Sequence, residues 1–178
     1  RRNIFLQFSS EIESEIIWFD LEKVEKVIYN LLSNAFKFTP DNGTIKVHIE
    51  YGTTKNIEDI YISISVSDTG SGISKEDQAN IFDRFKSLSS PNYTNQKGTG
   101  IGLSLIHEYA TLHNGTITFE SVLNAGSIFI FSLPKDKSLL KNYEVVAPLI
   151  KEPSEKAVEE FENITSENEM PVDKKPDS

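Results

Sequence analysis

The sequence of 178 residues contains no cysteine. That excludes a disulfide framework, a thiolate metal site and a cysteine nucleophile, and it fits a reducing compartment. Long apolar runs are missing too, so nothing in the chain reads as a bilayer span. The opening Arg1-Arg2-Asn3 leads straight into a strand-like run without the plan of a signal peptide. The chain therefore reads as soluble. Basic residues are scarce: 18 Lys and Arg stand against 27 Asp and Glu, for a formal net charge of -9. That is the wrong sign for a surface that wraps nucleic acid, whose affinity comes from neutralised phosphates, so no nucleic-acid partner is expected. A small basic pocket inside an acidic chain remains compatible with these numbers.

Glycine and proline divide what is there. All nine glycines lie before residue 127, whereas five of the seven prolines lie from Pro134 onward. Residues 134–178 carry seven Lys, eleven Asp or Glu, and only Tyr143 and Phe161 as aromatics. Such a stretch buries too little apolar surface to offset its ordering entropy. It reads as a mostly disordered acidic tail or inter-domain linker, with a short helix around 154–162. The body is residues 1–133, long enough for a real core.

Within the body, Ile4, Leu6 and Phe8 alternate and Ile16–Phe19 is a short apolar run, which predicts a strand for each. From Asp20 the apolar spacing becomes helical through Val24, Val27, Leu31 and Ala35, and Pro40 with Gly43 ends the helix. Alternation returns at Ile45–Ile49 and Ile60–Val66. A short helix is expected over Ser74–Phe82, a loop over 86–97, and a helix over Ile101–Leu112 that stops at Asn114-Gly115. Two strands, 116–121 and 127–133, close the body around a turn at Asn124-Ala125-Gly126. The sum is five or six strands and three helices, an α/β sandwich with a mixed sheet.

Three groups of residues bear on chemistry. Asn30, Asn34 and Lys37, spaced by four and three, share one stripe of the first long helix. Two amide oxygens and an ammonium suit a metal–phosphate group, and they equally suit a solvated face, since Lys23 and Lys26 fall on the same stripe. Asp68-Thr69-Gly70-Ser71-Gly72-Ile73 follows a strand directly. Its glycines permit a sharp turn and close approach to a flat ligand, and Asp68 can accept from an exocyclic amine. Gly98-Thr99-Gly100-Ile101-Gly102-Leu103 opens a helix, which makes an anion site of its backbone amides. No Gly-Lys-Ser/Thr follows and no strand precedes it, so neither a P-loop nor a dinucleotide fold is supported.

In this order the three groups, with Phe82-Asp83-Arg84-Phe85 between the second and third, closely resemble the catalytic ATP-binding domain of sensor histidine kinases. That domain belongs to the GHKL, or Bergerat-fold, superfamily. The resemblance covers residues 3–133 and includes a closing hairpin, Ser121 to Pro134, in which Asn124 stands where Gly is usual. It implies a five-stranded mixed sheet packed on three helices, with a mobile ATP lid from Phe85 to Gly98. It further implies that Asp68 receives the adenine amino group while Gly70 and Gly72 let the loop close over the base beside Ile73. Asn30 and Asn34 would serve Mg²⁺ and the phosphates, Lys37 would neutralise phosphate charge, and Phe38 would wall the nucleotide. Gly98, Thr99, Gly100, Ile101, Gly102 and Leu103 would cradle the phosphates. Phe82 and Phe85 would clip the lid to the domain or its partner. Many relatives carry a basic residue where Ser87 stands, and Lys86 or Arg84 is the substitute at hand.

In hydrolytic relatives the position of Asn30 is typically a water-activating Glu, and an amide cannot serve as that base. A site for MgATP without such a base suits phosphoryl transfer to an outside nucleophile. None of His48, His107 or His113 reads as that nucleophile: His48 lies in a strand, His107-Glu108 lacks the basic residue and Pro expected after it, and His113 reads as a helix end whose dipole suits a cation. The expected activity is therefore that of the catalytic half of a protein histidine kinase. Its implied partners are ATP, the dimerisation and phosphoacceptor domain of the same parent, and a response-regulator receiver domain. The fragment itself is expected to be monomeric and cytoplasmic, its parent free or anchored in the bacterial inner membrane. The competing readings are a hydrolysing ATPase of the same superfamily, an anti-sigma-type serine kinase, and a non-catalytic module with a decayed site.

Overall fold

In the computed structural model of the chain, residues 2–53, 60–85 and 100–136 are described. The tail from 137, the loop 86–99 with Lys86, Ser87, Gly98 and Thr99, and the helix expected at 154–162 lie outside them. Five strands are present: β1 (Phe5–Ser10), β2 (Thr44–Thr53), β3 (Ile60–Asp68), β4 (Thr116–Val122) and β5 (Gly126–Pro134). The helices are α1 (Leu21–Phe38), α2 (Lys75–Gln78) and α3 (Gly102–Leu112). The sheet order is β1-β2-β3-β5-β4, with β1 parallel to β2 and every other pair antiparallel. This is the mixed five-stranded sheet expected.

Alternation decides which face is covered. Ile45, Val66, Phe129, Phe131, Leu133 and Ile117 point to one side and are buried there against Val27, Leu31, Leu32 and Ala35 of α1 and Ile106 and Ala110 of α3. Burying apolar area at roughly 25 cal/mol per Å² makes this interface the main source of stability. The two long helices thus lie side by side on one sheet face, and the C-terminal end of α1 reaches the loop that follows β3.

Helix α1 begins where Asp20 accepts the Lys23 amide at 3.2 Å, and it ends where the Thr39 amide and hydroxyl both bond Ala35 O, just before Pro40. Two local expectations need correction. Residues 16–19 form no strand: no described strand pairs with them, and the segment crosses the end of the sheet, tied by Glu15 to Lys135 Nζ at 2.7 Å and Tyr51 Oη at 2.8 Å. The helix expected to reach Phe82 stops at Gln78, and tighter bonds (Asn80 to Asp77 O, Asp83 to Asn80 O) turn the chain onward. His113 closes α3, as expected, but inside the protein. It is 1% exposed, its Nδ1 donates to Tyr109 O at 2.7 Å, and its Nε2 accepts the Asp20 amide at 2.9 Å. A carbonyl on one side and an N–H on the other require the tautomer with its proton on Nδ1. Among the described residues no helix is long and apolar enough to cross a membrane.

Candidate functional site

The polar stripe of α1 meets the glycine-rich turn before α3. Asn30 donates from Nδ2 to Lys26 O at 2.7 Å, which settles which end of its amide points outward. Its Oδ1 faces Gly102, where an added Cβ would stand 2.7 Å from that oxygen. Only a residue without a side chain leaves this space open. Gly100 turns the chain at φ 67°, and Ile101 caps α3 without any side-chain hydrogen bond. The first turn of α3 contains no acid and its N-cap makes no side-chain bond, so the positive end of its dipole stands uncompensated beside the Asn30 oxygen. Leu103 is half-buried against the core on the same turn. Acceptor oxygen on one side and amide donors on the other accept a cation with its anion, which is the chemistry of a metal phosphate.

Asn34 and Lys37, both half-buried, continue the stripe toward the C-terminus of α1. Lys37 Nζ lies over the Phe38 ring at 5.1 Å, and burial draws its ammonium below the ordinary lysine value of 10.5. Lys23, by contrast, is bound to Asp20 and leaves the set. Phe38 lies eight positions, or about 12 Å of helix, beyond Asn30. There the backbone of α1 touches the Asp68 loop: the Ser71 amide donates to Phe38 O at 3.4 Å, and an added Cβ on Gly70 would meet that oxygen at 2.6 Å. A nucleotide stretched from base to terminal phosphate has this scale.

Asp68 ends β3 half-buried, its Oδ1 accepting the Gly70 amide at 2.7 Å. Burial pushes its carboxyl above the ordinary 3.8, and the backbone amides of Gly70 and Ser127 pull it part of the way back. Gly72 adopts φ 61°, and a Cβ there would stand 2.0 Å from Val122 O. Its glycine is therefore demanded by the β4–β5 hairpin pressed against it. Ile73 is buried in the core.

The family described as histidine kinase-, DNA gyrase B-, and HSP90-like ATPases matches residues 19–137. The chain belongs to that family, in its histidine kinase branch. Sensor histidine kinase TmoS of Ectopseudomonas mendocina is 42% identical over 115 residues, which make up 65% of this chain and 11% of TmoS. The adaptive-response sensory kinase SasA of a Synechococcus strain is 40% identical over 131 residues, 72% of this chain and 33% of SasA. The solved catalytic domain of histidine kinase ThkA superposes with a TM-score of 0.61 at 31% identity, covering 75% of this chain and 81% of that one. The chain thus spans only a minor part of the curated relatives, and the fold it shares with ThkA is that of the catalytic domain alone.

For this kinase-type ATPase domain the structure divides the expected aromatic pair. Phe82 packs inward, 5.6 Å from the His107 ring and 5.7 Å from Phe119, whereas Phe85 is 75% exposed at φ 63°. The Phe85 amide donates to Gly100 O at 2.9 Å, which joins these two residues just before α3. Arg84 pairs with Glu108 at 2.7 Å. Two residues that sequence reasoning assigned no role hold the Asp68 loop from behind: Ser121 and Gln78. Ser121 is visible in the sequence only as part of the hairpin pattern, and nothing in periodicity marks Gln78.

Proposed function

We propose that the chain binds MgATP between α1 and the start of α3 and donates the γ-phosphoryl group to a histidine on a separate domain. That acceptor is the dimerisation and phosphoacceptor domain of the same parent, which then serves a response-regulator receiver domain in two-component signalling. The observation that carries the reading is the meeting of Asn30 Oδ1 with the side-chain-free Gly102 at an uncapped helix start. It supports an anion and its counter-cation at one end of the crevice, while the half-buried Asp68 supports a base with an exocyclic amine at the other.

In this reading Asn30 and Asn34 hold Mg²⁺, which screens the phosphate charge and orients the terminal phosphoryl group. Lys37 neutralises phosphate oxygens, whose charge offsets the burial that draws its ammonium below the ordinary lysine value. Phe38 and Ile73 wall the base that Asp68 reads. The amides of Gly98, Thr99, Gly100, Ile101, Gly102 and Leu103 take the phosphates, and Lys86 takes the γ-phosphate contact now that Arg84 is committed to Glu108. Asn30 cannot draw a proton from water, so the bound nucleotide waits for an outside nucleophile. That distinguishes the domain from a hydrolase.

Calorimetry tests this directly. Asn30→Ala should remove most of the Mg²⁺ dependence of ATP binding and leave adenosine affinity nearly unchanged. Equal losses for both ligands would locate the damage in the fold and overturn the metal role. The chain should also phosphorylate an added phosphoacceptor domain far faster than it hydrolyses ATP; rapid turnover without acceptor would favour the hydrolytic reading.

A further inference from the structure

The Asp68–Ile73 loop is clamped by Ser121 of the closing hairpin and Gln78 of α2, neither of which belongs to the three groups that bear on chemistry. Ser121 Oγ accepts the Ile73 amide at 2.9 Å and lies 2.9 Å from Ser127 Oγ and 3.1 Å from Gly126 O. Gln78 Nε2 donates to both Ile73 O at 2.9 Å and Ser121 O at 3.0 Å. The hairpin tip adds a bond from the Asn124 amide to Ser71 O at 2.6 Å. Register places Ser127 opposite Asp68 on β3 and opposite Ser121 on β4, so one row across the sheet runs Asp68, Ser127, Ser121. The chain leaves that row at Asp68 and is returned to it at Ile73, forming a closed circuit.

We propose that Ser121 and Gln78 are positioning residues that hold this loop so the Asp68 carboxylate meets an exocyclic amine of the bound base. The proposal rests on the nucleotide reading above. The Ser121 hydroxyl has one proton to give and takes the Ile73 amide as acceptor; without it that half-buried amide loses its partner and the loop relaxes around Asp68. Gln78 acts from the other side, spending both amide hydrogens to tie the loop's last carbonyl to β4. A carboxylate accepts from the amine of adenine and repels the carbonyl oxygen that hypoxanthine presents at the same place. The preference for adenine over hypoxanthine therefore reports where the carboxylate stands, because a general loss of stability lowers both affinities alike.

The test is titration of the full 178-residue chain with ADP and with IDP, in the wild type and in Ser121→Ala, Ser121→Thr and Gln78→Met. The wild type should prefer ADP. Ser121→Ala should give up about three- to tenfold of that preference, the range a lost hydrogen bond commands, while Ser121→Thr retains it. Gln78→Met, of similar size on an exposed short helix, should shift the ratio in the same direction and serves if Ser121→Ala does not fold. Each residue is judged by its own variant: a full preference kept by a folded variant overturns that residue's positioning role and leaves the base reading standing. A wild type that does not distinguish ADP from IDP overturns the base reading itself and this proposal with it.

Discussion

Asp68 sits where opposing forces meet. Burial disfavours its charge, two backbone amides favour it, and burial wins, so its carboxyl titrates above 3.8. The folded value exceeds the unfolded one, so the ionised group burdens the fold. The burden is complete above the folded value and disappears as pH falls below the unfolded one. Asp68→Asn should therefore leave stability at pH 7 unchanged or raised, since an amide still accepts from Gly70, while ADP affinity falls by about 1.5–3 kcal/mol. Denaturant titration and calorimetry on the same variant check both halves; a destabilised Asp68→Asn would show that the charge supports the fold. The acid limb of ADP binding should likewise begin above 3.8 and vanish in the variant. Residue type and order are enough to make Asp68 and the Asn30 stripe legible. The orientation of the Asn30 amide is not legible in the same way, because it depends on a bond to Lys26 O that any helix could have left to water.

Helix α1 is the element that most of the site shares, and its sequence is readable from end to end. Its N-cap, its buried stripe and the Pro40 that stops it are all local signals. Asp20→Ala should cost about 1 kcal/mol, within the usual range of about 0.5–2 for a lost N-cap, as measured by the shift in urea midpoint. A change below a few tenths would show that the bond from the Asp20 amide to His113 Nε2 holds the helix start on its own. That bond joins the end of α3 to the beginning of α1, and no local signal announces it: His113 next to Asn114-Gly115 reads rightly as a helix end, but not as one buried against a second helix. The segment 16–19 misleads for the same reason. Its apolar residues suit a strand, but a strand exists only where a partner's ladder takes it up, and no described strand pairs with this segment.

At the scale of the molecule, the two ends of the crevice are set by different layers. The end at Asn30 and Gly102 belongs to the two helices, whose spacing is fixed by the core beneath them. The end at Asp68 belongs to the sheet, because the hairpin β4–β5 presses its tip into the loop after β3. Gly72 is the point of contact, so Gly72→Ala should cost about 2–3 kcal/mol through a left-handed φ and a collision with Val122 O. A loss below about 1 kcal/mol in thermal or chemical denaturation would mean that the hairpin yields and does not brace the loop. The sequence by itself determined the sandwich, its long helices, its pattern of strands and the identity of the polar groups, since these follow from periodicity, caps and residue chemistry acting within a few positions. Tertiary structure alone decided that Asn30 faces Gly102, that His113 is buried between helices, and that Ser121 and Gln78 stand behind Asp68. Those pairings join residues far apart in the chain, and only the packing of helices on one sheet face brings them within reach of a hydrogen bond.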